Sequence, residues 1–359
     1  MNTSEVTREG IRGARPDHDA IPGSAGRRRP RRGGRGERLM VPKAEFRSYY
    51  GKPVLNQIVW APYDIGGYLF LGGLAGASSV LAAGAELSGR PVLARAMKIG
   101  ALGAISGSVV ALVHDLGRPA RFVNMLRVFK PSSPMSVGSW LLACYGPLAG
   151  AAAVTDVTGL LPRLGRAAAV GAAAFGPAVA AYTAPLICDT AVPAWHEGHR
   201  EMPFVFVGSG AAAAGGLGML AAPVEQAGPA RRAALFGAAL EVGAAQVMRR
   251  RMGMVAEPYG RGSAGVLMRA ASALTLAGAA AGTVLGRRSR AAAATAGVAL
   301  LAGSLCTRLG VFQAGVASAR DPRYTVVPQR ARADARDAGT ADGAGDARTG
   351  VPAQRGEQG

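Results

Sequence analysis

The chain is poor in aromatic side chains, poor in acids and nearly without cysteine and histidine. Aromatics make up 6% of its 359 residues, and its three cysteines, Cys144, Cys188 and Cys306, stand singly in apolar surroundings. No C-x-x-C pair occurs, which argues against an iron–sulfur or zinc framework in this chain, and no C-x-x-C-H occurs for covalent haem. Each cysteine reads as a small buried hydrophobe. The four histidines lie in the N-terminal tail or at the edges of apolar runs, whereas a bis-imidazole membrane haem needs histidines facing each other from within spans. Acids number 22 against 41 basic residues, a net charge of +19. A nucleic-acid surface would interleave such charge with aromatics on a folded face. Here the arginines instead gather at the ends of apolar runs and in the tails, where the positive-inside rule and anionic lipid account for them. The partner implied is a lipid bilayer, and nucleic acid is set aside.

What is present in quantity is small and apolar. Several windows of about 20 residues lack charge nearly throughout, enough to cross a hydrocarbon core of about 30 Å. Alanine and the 52 glycines fill them, which suits helices packing closely within a membrane. Eight spans are predicted, near residues 65–87, 92–113, 137–160, 167–187, 203–222, 232–248, 264–286 and 291–310. Ser136 is a predicted N-cap of the third span, and Pro177 and Pro185 predict a kinked fourth. The chain thus reads as an all-α polytopic membrane protein of two four-helix bundles, about 60–188 and 202–310, within a membrane domain 53–320. Residues 1–52, with Arg27–Arg29 and Arg31–Arg32, and residues 321–359 read as disordered polar tails. No apolar segment of signal-peptide length follows the arginine pairs promptly, so no cleavage is expected. An even number of spans puts both tails on one side, together with the longer joints at 114–135, 189–201 and 249–263. Flanking charge favours the cytoplasm for that side.

The joint between the second and third spans is the most composed part of the sequence. Phe122, Met125, Leu126 and Phe129 recur at helical spacing with Arg118 and Arg121 off that face, the pattern of a short helix on a membrane surface. His114, Asp115, Arg118, Arg121 and Asn124 crowd there and suit an anion, a quinone carbonyl or a partner protein; the blander alternative is an ion-paired loop anchored to headgroups. Asp64, beside Trp60 and Tyr63, is either a proton acceptor for a hydroxyl-bearing ligand or an acid favoured by the helix dipole. Tyr182 either bonds a ligand carbonyl or is a core tyrosine bonded to backbone. Glu241, deep in the sixth span, is either a proton relay or an interhelical hydrogen-bond partner. His196 and His199 with Glu197 and Glu201 have metal-ligand spacing, against a simpler reading as a solvated loop. Spacings such as Gly72-x-x-x-Gly76 speak of helix packing.

Five blocks resemble one family: Tyr-Leu-Phe-Leu-Gly-Gly-Leu-Ala-Gly from Tyr68, His-Asp-Leu-Gly-Arg-Pro-Ala-Arg-Phe from His114, Ser-Pro-Met-Ser-Val-Gly-Ser-Trp from Ser133, Ala-Val-Pro-Ala-Trp-His-Glu from Ala191, and Arg-Leu-Gly-Val-Phe-Gln-Ala-Gly from Arg308. Over residues 53–330 the chain is similar to the NrfD and polysulfide-reductase (PsrC-like) membrane subunits. The resemblance implies a haem-free bacterial inner-membrane anchor subunit without its own iron–sulfur cluster, working on menaquinone or ubiquinone as bound substrate. It implies a ferredoxin-like iron–sulfur subunit and a molybdopterin catalytic subunit, or multihaem cytochromes, as partners, and a quinone site in the first bundle near the docking face. By position Trp60, Asp64, Tyr182 and His114 fall at that site, Asp115 and Arg118 carry the motif, Arg121 and Asn124 extend it toward a docked partner, and Asp64 and Glu241 are the proton-relay candidates. Two other classes stay open: a proton-coupled transporter, which would use Glu241 and helices broken around a midplane site, and a passive anchor without quinone chemistry.

Overall fold

The computed structural model describes residues 54–115 and 124–336, apart from 57 and 59, with the strands at 5–7 and 10–12 and the backbone of 337–346. The candidate residues Arg118 and Arg121, with Phe122 of the surface-helix motif and the arginine pairs of the N-terminal tail, lie outside the described residues. Two three-residue strands, β1 (Glu5–Thr7) and β2 (Gly10–Arg12), pair antiparallel with Val6 opposite Ile11, a hairpin within a segment that composition alone reads as unstructured.

From residue 62 onward the described chain is helical. The first four long helices are α1 (Pro62–Leu87), α2 (Pro91–Asp115), α3 (Pro134–Thr158) and α4 (Pro162–Cys188). All four open on a proline, whose fixed φ suits the first helical turn and whose missing N–H is not needed there. A four-residue helix, α5 (Pro193–His196), crosses the joint. Then follow α6 (Met202–Ala221), α7 (Gly228–Met252), a 3-10 stretch at Gly253–Tyr259, α8 (Gly262–Val284) and α9 (Arg290–Arg320).

Eight long helices therefore stand where eight spans are predicted, and seven of them are long and apolar enough to cross a membrane. The exception is α7, whose ends carry Arg231, Arg232 and Arg249–Arg251 and whose middle carries Glu241. Its length of 25 residues still matches the others.

Three of the differences from the predicted bounds have a plain physical cause. The third helix starts at Pro134, and the cap is Ser133, whose Oγ accepts from the Ser136 N–H at 3.5 Å; the proline sets the first turn three residues earlier than apolar character does. The last span runs ten residues past Gly310, to Arg320, because Val311, Phe312, Ala314 and Ala319 keep an apolar stripe buried beyond the uncharged window. Within the tail predicted to be disordered, the described residues form α10 (Arg323–Asp346). Its alanine and arginine content gives high helix propensity despite the polarity, and Asp321 Oδ1 accepts from the Arg323 N–H at 3.0 Å at its start.

Helix α1 packs against α2, α4, α6 and α9, so it belongs to the first bundle and also to its seam with the second. The contact with α4 is backbone on backbone: a Cβ on Gly76 would lie 2.3 Å from the Gly176 carbonyl oxygen. Of the Gly72-x-x-x-Gly76 pair, Gly76 serves this contact, while a Cβ on Gly72 would meet Ser108 Oγ of α2 at 3.5 Å. Replacing Gly76 by valine is expected to lower stability by about 1–3 kcal/mol, as overpacking does. Thermal unfolding in detergent checks it, and an unchanged midpoint would refute the close approach.

Candidate functional site

A cavity of about 600 Å³ opens at the end of the first bundle. Its walls come from all four helices: Trp60 and Ile65 at the start of α1, Leu112 and Asp115 at the end of α2, Pro134 and Met135 at the start of α3, and Leu186 and Ile187 at the end of α4. The lining is apolar except for a few groups, Asp115, Ser133, Asp189 and Thr190 among them, with the hydroxyl-bearing Tyr68. A void of about 30 Å³ adjoins it, sharing Tyr68, Leu112, Met135 and Leu186, and Tyr182 closes that void.

Tyr68 and Tyr182 are joined hydroxyl to hydroxyl, with rings set edge to face at 77° and centroids 6.5 Å apart. The ring of Tyr182 lies over Gly138, where an added Cβ would come within 2.4 Å of Tyr182 Cε2. Gly138 belongs to the Ser-Pro-Met-Ser-Val-Gly-Ser-Trp block, so that block's glycine is what admits the tyrosine. Further support comes from Ser108 of α2, whose Oγ donates to the Tyr68 carbonyl at 3.1 Å.

At the rim, Trp60 stacks on Trp195 of α5, with centroids 6.1 Å apart and planes 9° from parallel. Trp195 is wholly buried; its Nε1–H donates to the Val311 carbonyl at 2.8 Å, and its ring leans on Phe312 at 5.7 Å. The neighbouring Ala194 is held twice, its N–H by Ser318 Oγ at 3.2 Å and its carbonyl by the Tyr259 hydroxyl at 2.9 Å. Two of the recognisable sequence blocks, those at Ala191 and Arg308, therefore meet at one indole.

The sequence-derived candidates divide into four groups. Trp60 and Asp115 line the cavity, and Tyr182 stands behind Tyr68. Asp64 and His114 face each other instead, Nδ1 to Oδ2 at 2.9 Å, and neither is a lining residue. Asn124 is exposed on the joint. Glu241 lies in the second bundle, where its Oε1 accepts from Thr307 Oγ1 and its Oε2 has no side-chain partner. Beside it Arg308, fully buried, donates Nη2–H to the Phe206 carbonyl at 2.7 Å and stacks on the Phe206 ring at 3.7 Å.

Tyr68, Trp195 and Arg308 escape residue-by-residue reading. The available signal was that each sits inside one of the recognisable blocks.

The histidine joint is not assembled as a metal site. His196 Nδ1 lies 3.3 Å from the Cys188 carbonyl and His199 Nδ1 lies 2.9 Å from the His196 carbonyl, while Glu197 pairs with Arg332 at 2.7 Å and Glu201 with Arg251. Among the described residues no three of His, Cys, Asp or Glu gather as a metal-binding group.

A family model described as polysulphide reductase, NrfD, matches residues 53–224, which spans the whole cavity and the Trp195 joint. No curated protein matches the chain.

The joint carrying Trp195 is clamped from α7. Arg251 donates Nε–H and Nη2–H to the two oxygens of Glu201, each at 2.7 Å, and reaches the Glu197 carbonyl. The Arg251 guanidinium holds the Glu201 carboxyl below the usual carboxylate range. A carboxyl lowered by folding contributes stability that is present above its unfolded value of about 4.3 and is lost as pH falls through its folded value. Glu201→Gln is thus expected to flatten the acid side of a stability–pH profile in detergent; a profile parallel to that of the parent protein rules out the contribution.

Proposed function

With residues 53–224 belonging to the NrfD family, we propose that this membrane subunit binds quinone or quinol in the cavity at the end of its first bundle. There it exchanges electrons with an iron–sulfur subunit docked on the same face, itself attached to a molybdopterin-type enzyme. The observation that carries the reading is the cavity itself: about 600 Å³, walled by apolar side chains, with an indole at the rim and a few polar groups facing in. Ligand sites of this size with sparse, placed polar groups are the common form for a flat, mostly apolar molecule.

The roles follow from position. Trp60, supported by Trp195, offers a flat face at the rim. Tyr68 presents its ring at the wall and its hydroxyl to Tyr182, so the pair can pass a proton toward a carbonyl oxygen held beside it. Asp115, whose carboxylate accepts from the Ala61 backbone, is one of two carboxylates at the wall, with Asp189. The Asp64–His114 pair lies next to it in sequence and charge, and His114 is 75% exposed, so this pair links Asp115 to solvent. Quinone-to-quinol conversion needs two electrons and two protons; the chain supplies routes for the protons, and the docked partner supplies the electrons.

Loss of general acid–base help costs typically 10²–10⁴ in rate. Asp115→Asn is therefore expected to reduce quinol turnover by about 10²-fold in an assembled complex, and Asp64→Ala to reduce turnover without weakening quinone binding. Quinone titration of the purified chain, followed by quenching of tryptophan fluorescence, measures binding separately from turnover. A purified chain that binds no quinone and captures no iron–sulfur protein would return the function to a passive anchor or to a transporter built on Glu241.

A further inference from the structure

A second hollow lies away from the cavity, along the seam between the two bundles. It holds about 320 Å³ and is walled by four helices, with Val80 and Gly84 from α1, Pro177 from α4, Ala211 from α6 and Phe236 from α7. No polar side chain lines it. Val80 is 44% exposed and Phe236 62% exposed, so the hollow is an open groove. On α1 its wall runs from Ala77 to Gly84, seven residues, or about 10 Å of rise. That stretch lies in the half of α1 that ends at Leu87. It therefore fits within one leaflet's share of a hydrocarbon core of about 30 Å. A bilayer offers such a groove an acyl chain.

A charge stands beside it. Arg232 of α7 is exposed, and among the described residues it makes no ion pair and no hydrogen bond. The neighbouring Arg231 donates Nη1–H to the Val224 carbonyl at 3.0 Å and is repelled by both Arg232 and Arg287. Positive charge is thus gathered here without an acid to balance it.

The packing fixes the depth of Arg232. A Cβ added at Gly218 of α6 would meet Ala230 of α7 at 2.7 Å and Leu81 of α1 at 3.5 Å. Arg232, two residues further along α7, is therefore level with the groove wall. Leu81 is six residues short of the end of α1, or about 9 Å of rise. Arg232 also precedes Phe236 by four residues, which puts both on one face of α7. An arginine facing lipid at that depth is costly unless its head reaches the interface or an anion comes to it.

We propose that this groove and Arg232 together seat one anionic phospholipid. An acyl chain lies along Val80, Gly84 and Phe236, and the phosphate meets the Arg232 guanidinium, with Arg231 adding charge nearby. A zwitterionic lipid fits the same groove but gains less, because its ammonium offsets its phosphate. The seated lipid touches α1 and α4 of the first bundle and α6 and α7 of the second, so it forms part of their seam. The seat is independent of what the cavity binds.

Native mass spectrometry of the full chain, in micelles carrying equal amounts of phosphatidylglycerol and phosphatidylcholine, reads the seat directly. One phosphatidylglycerol per chain is expected to survive activation that strips phosphatidylcholine. Arg232→Gln is expected to cut the preference for phosphatidylglycerol about fivefold, and Arg232→Lys to keep it. Gly84→Leu is expected to lose retained lipid of either kind, and a Cβ there meets nothing within 4 Å, so the chain can still fold. Parent-like thermal midpoints in lipid-free detergent check the folding of each variant. Equal retention of the two lipids by the parent, or an unchanged preference in Arg232→Gln, overturns the proposal. Full retention in Gly84→Leu does so as well. A lipid-free dimer that Gly84→Leu breaks apart would give the groove to a second copy of the chain, and would also overturn it.

Discussion

The indole of Trp195 is the contact through which the second bundle reaches the cavity of the first. It carries Trp60 on one face, leans on Phe312 and donates its single N–H to the backbone of α9. A tryptophan buried with its N–H satisfied has little freedom to shift. The rim of the cavity is therefore positioned by helices that contribute no cavity wall. Tyr259 and Ser318 hold the residue next to it from two further directions, and Arg251 ties down the chain that follows. The second bundle acts as a buttress for the first.

The same dependence appears in the polar interior of that second bundle. Arg308 leaves Nε and Nη1 without hydrogen-bond partners, and Glu241 leaves Oε2 so. In a membrane interior such groups are costly and face one another or the bundle core. Stacking on Phe206 and one bond to its carbonyl offset part of the desolvation of Arg308, and Thr307 serves Glu241. The guanidinium also presses toward Gly73 of α1, since a Cβ there would meet Nη2 at 2.9 Å. A charge of the second bundle thus sits against the helix that carries Tyr68.

Much of this architecture is legible in the sequence, for reasons that differ by element. Spans of uncharged residues announce themselves because hydrocarbon tolerates little else. Tyr182 is singled out by depth, and it does stand beside the cavity. Helix ends are read less well: proline at the first turn and a buried stripe past Gly310 each override apolar character. Residues 323–346 form a helix although their polarity suggests disorder, because alanine and arginine favour helix. Within the site, spacing cannot tell Asp64 from Asp115. The two carboxylates come from different helices, and only packing decides that one meets His114 and the other the cavity. Tyr68 is hidden for a related reason: its partner lies 114 residues away, and a tyrosine in an apolar run looks like any other core residue.

Helix α9 is longer than the bilayer needs. Its 31 residues rise about 46 Å, so a helix begun at the far surface outruns a hydrocarbon slab of about 30 Å by several turns. The overshoot carries Val311, Phe312 and Ser318, and with them the perch of Trp195, toward the aqueous layer. On the function proposed above, a docked partner meets the roof of the cavity without entering lipid.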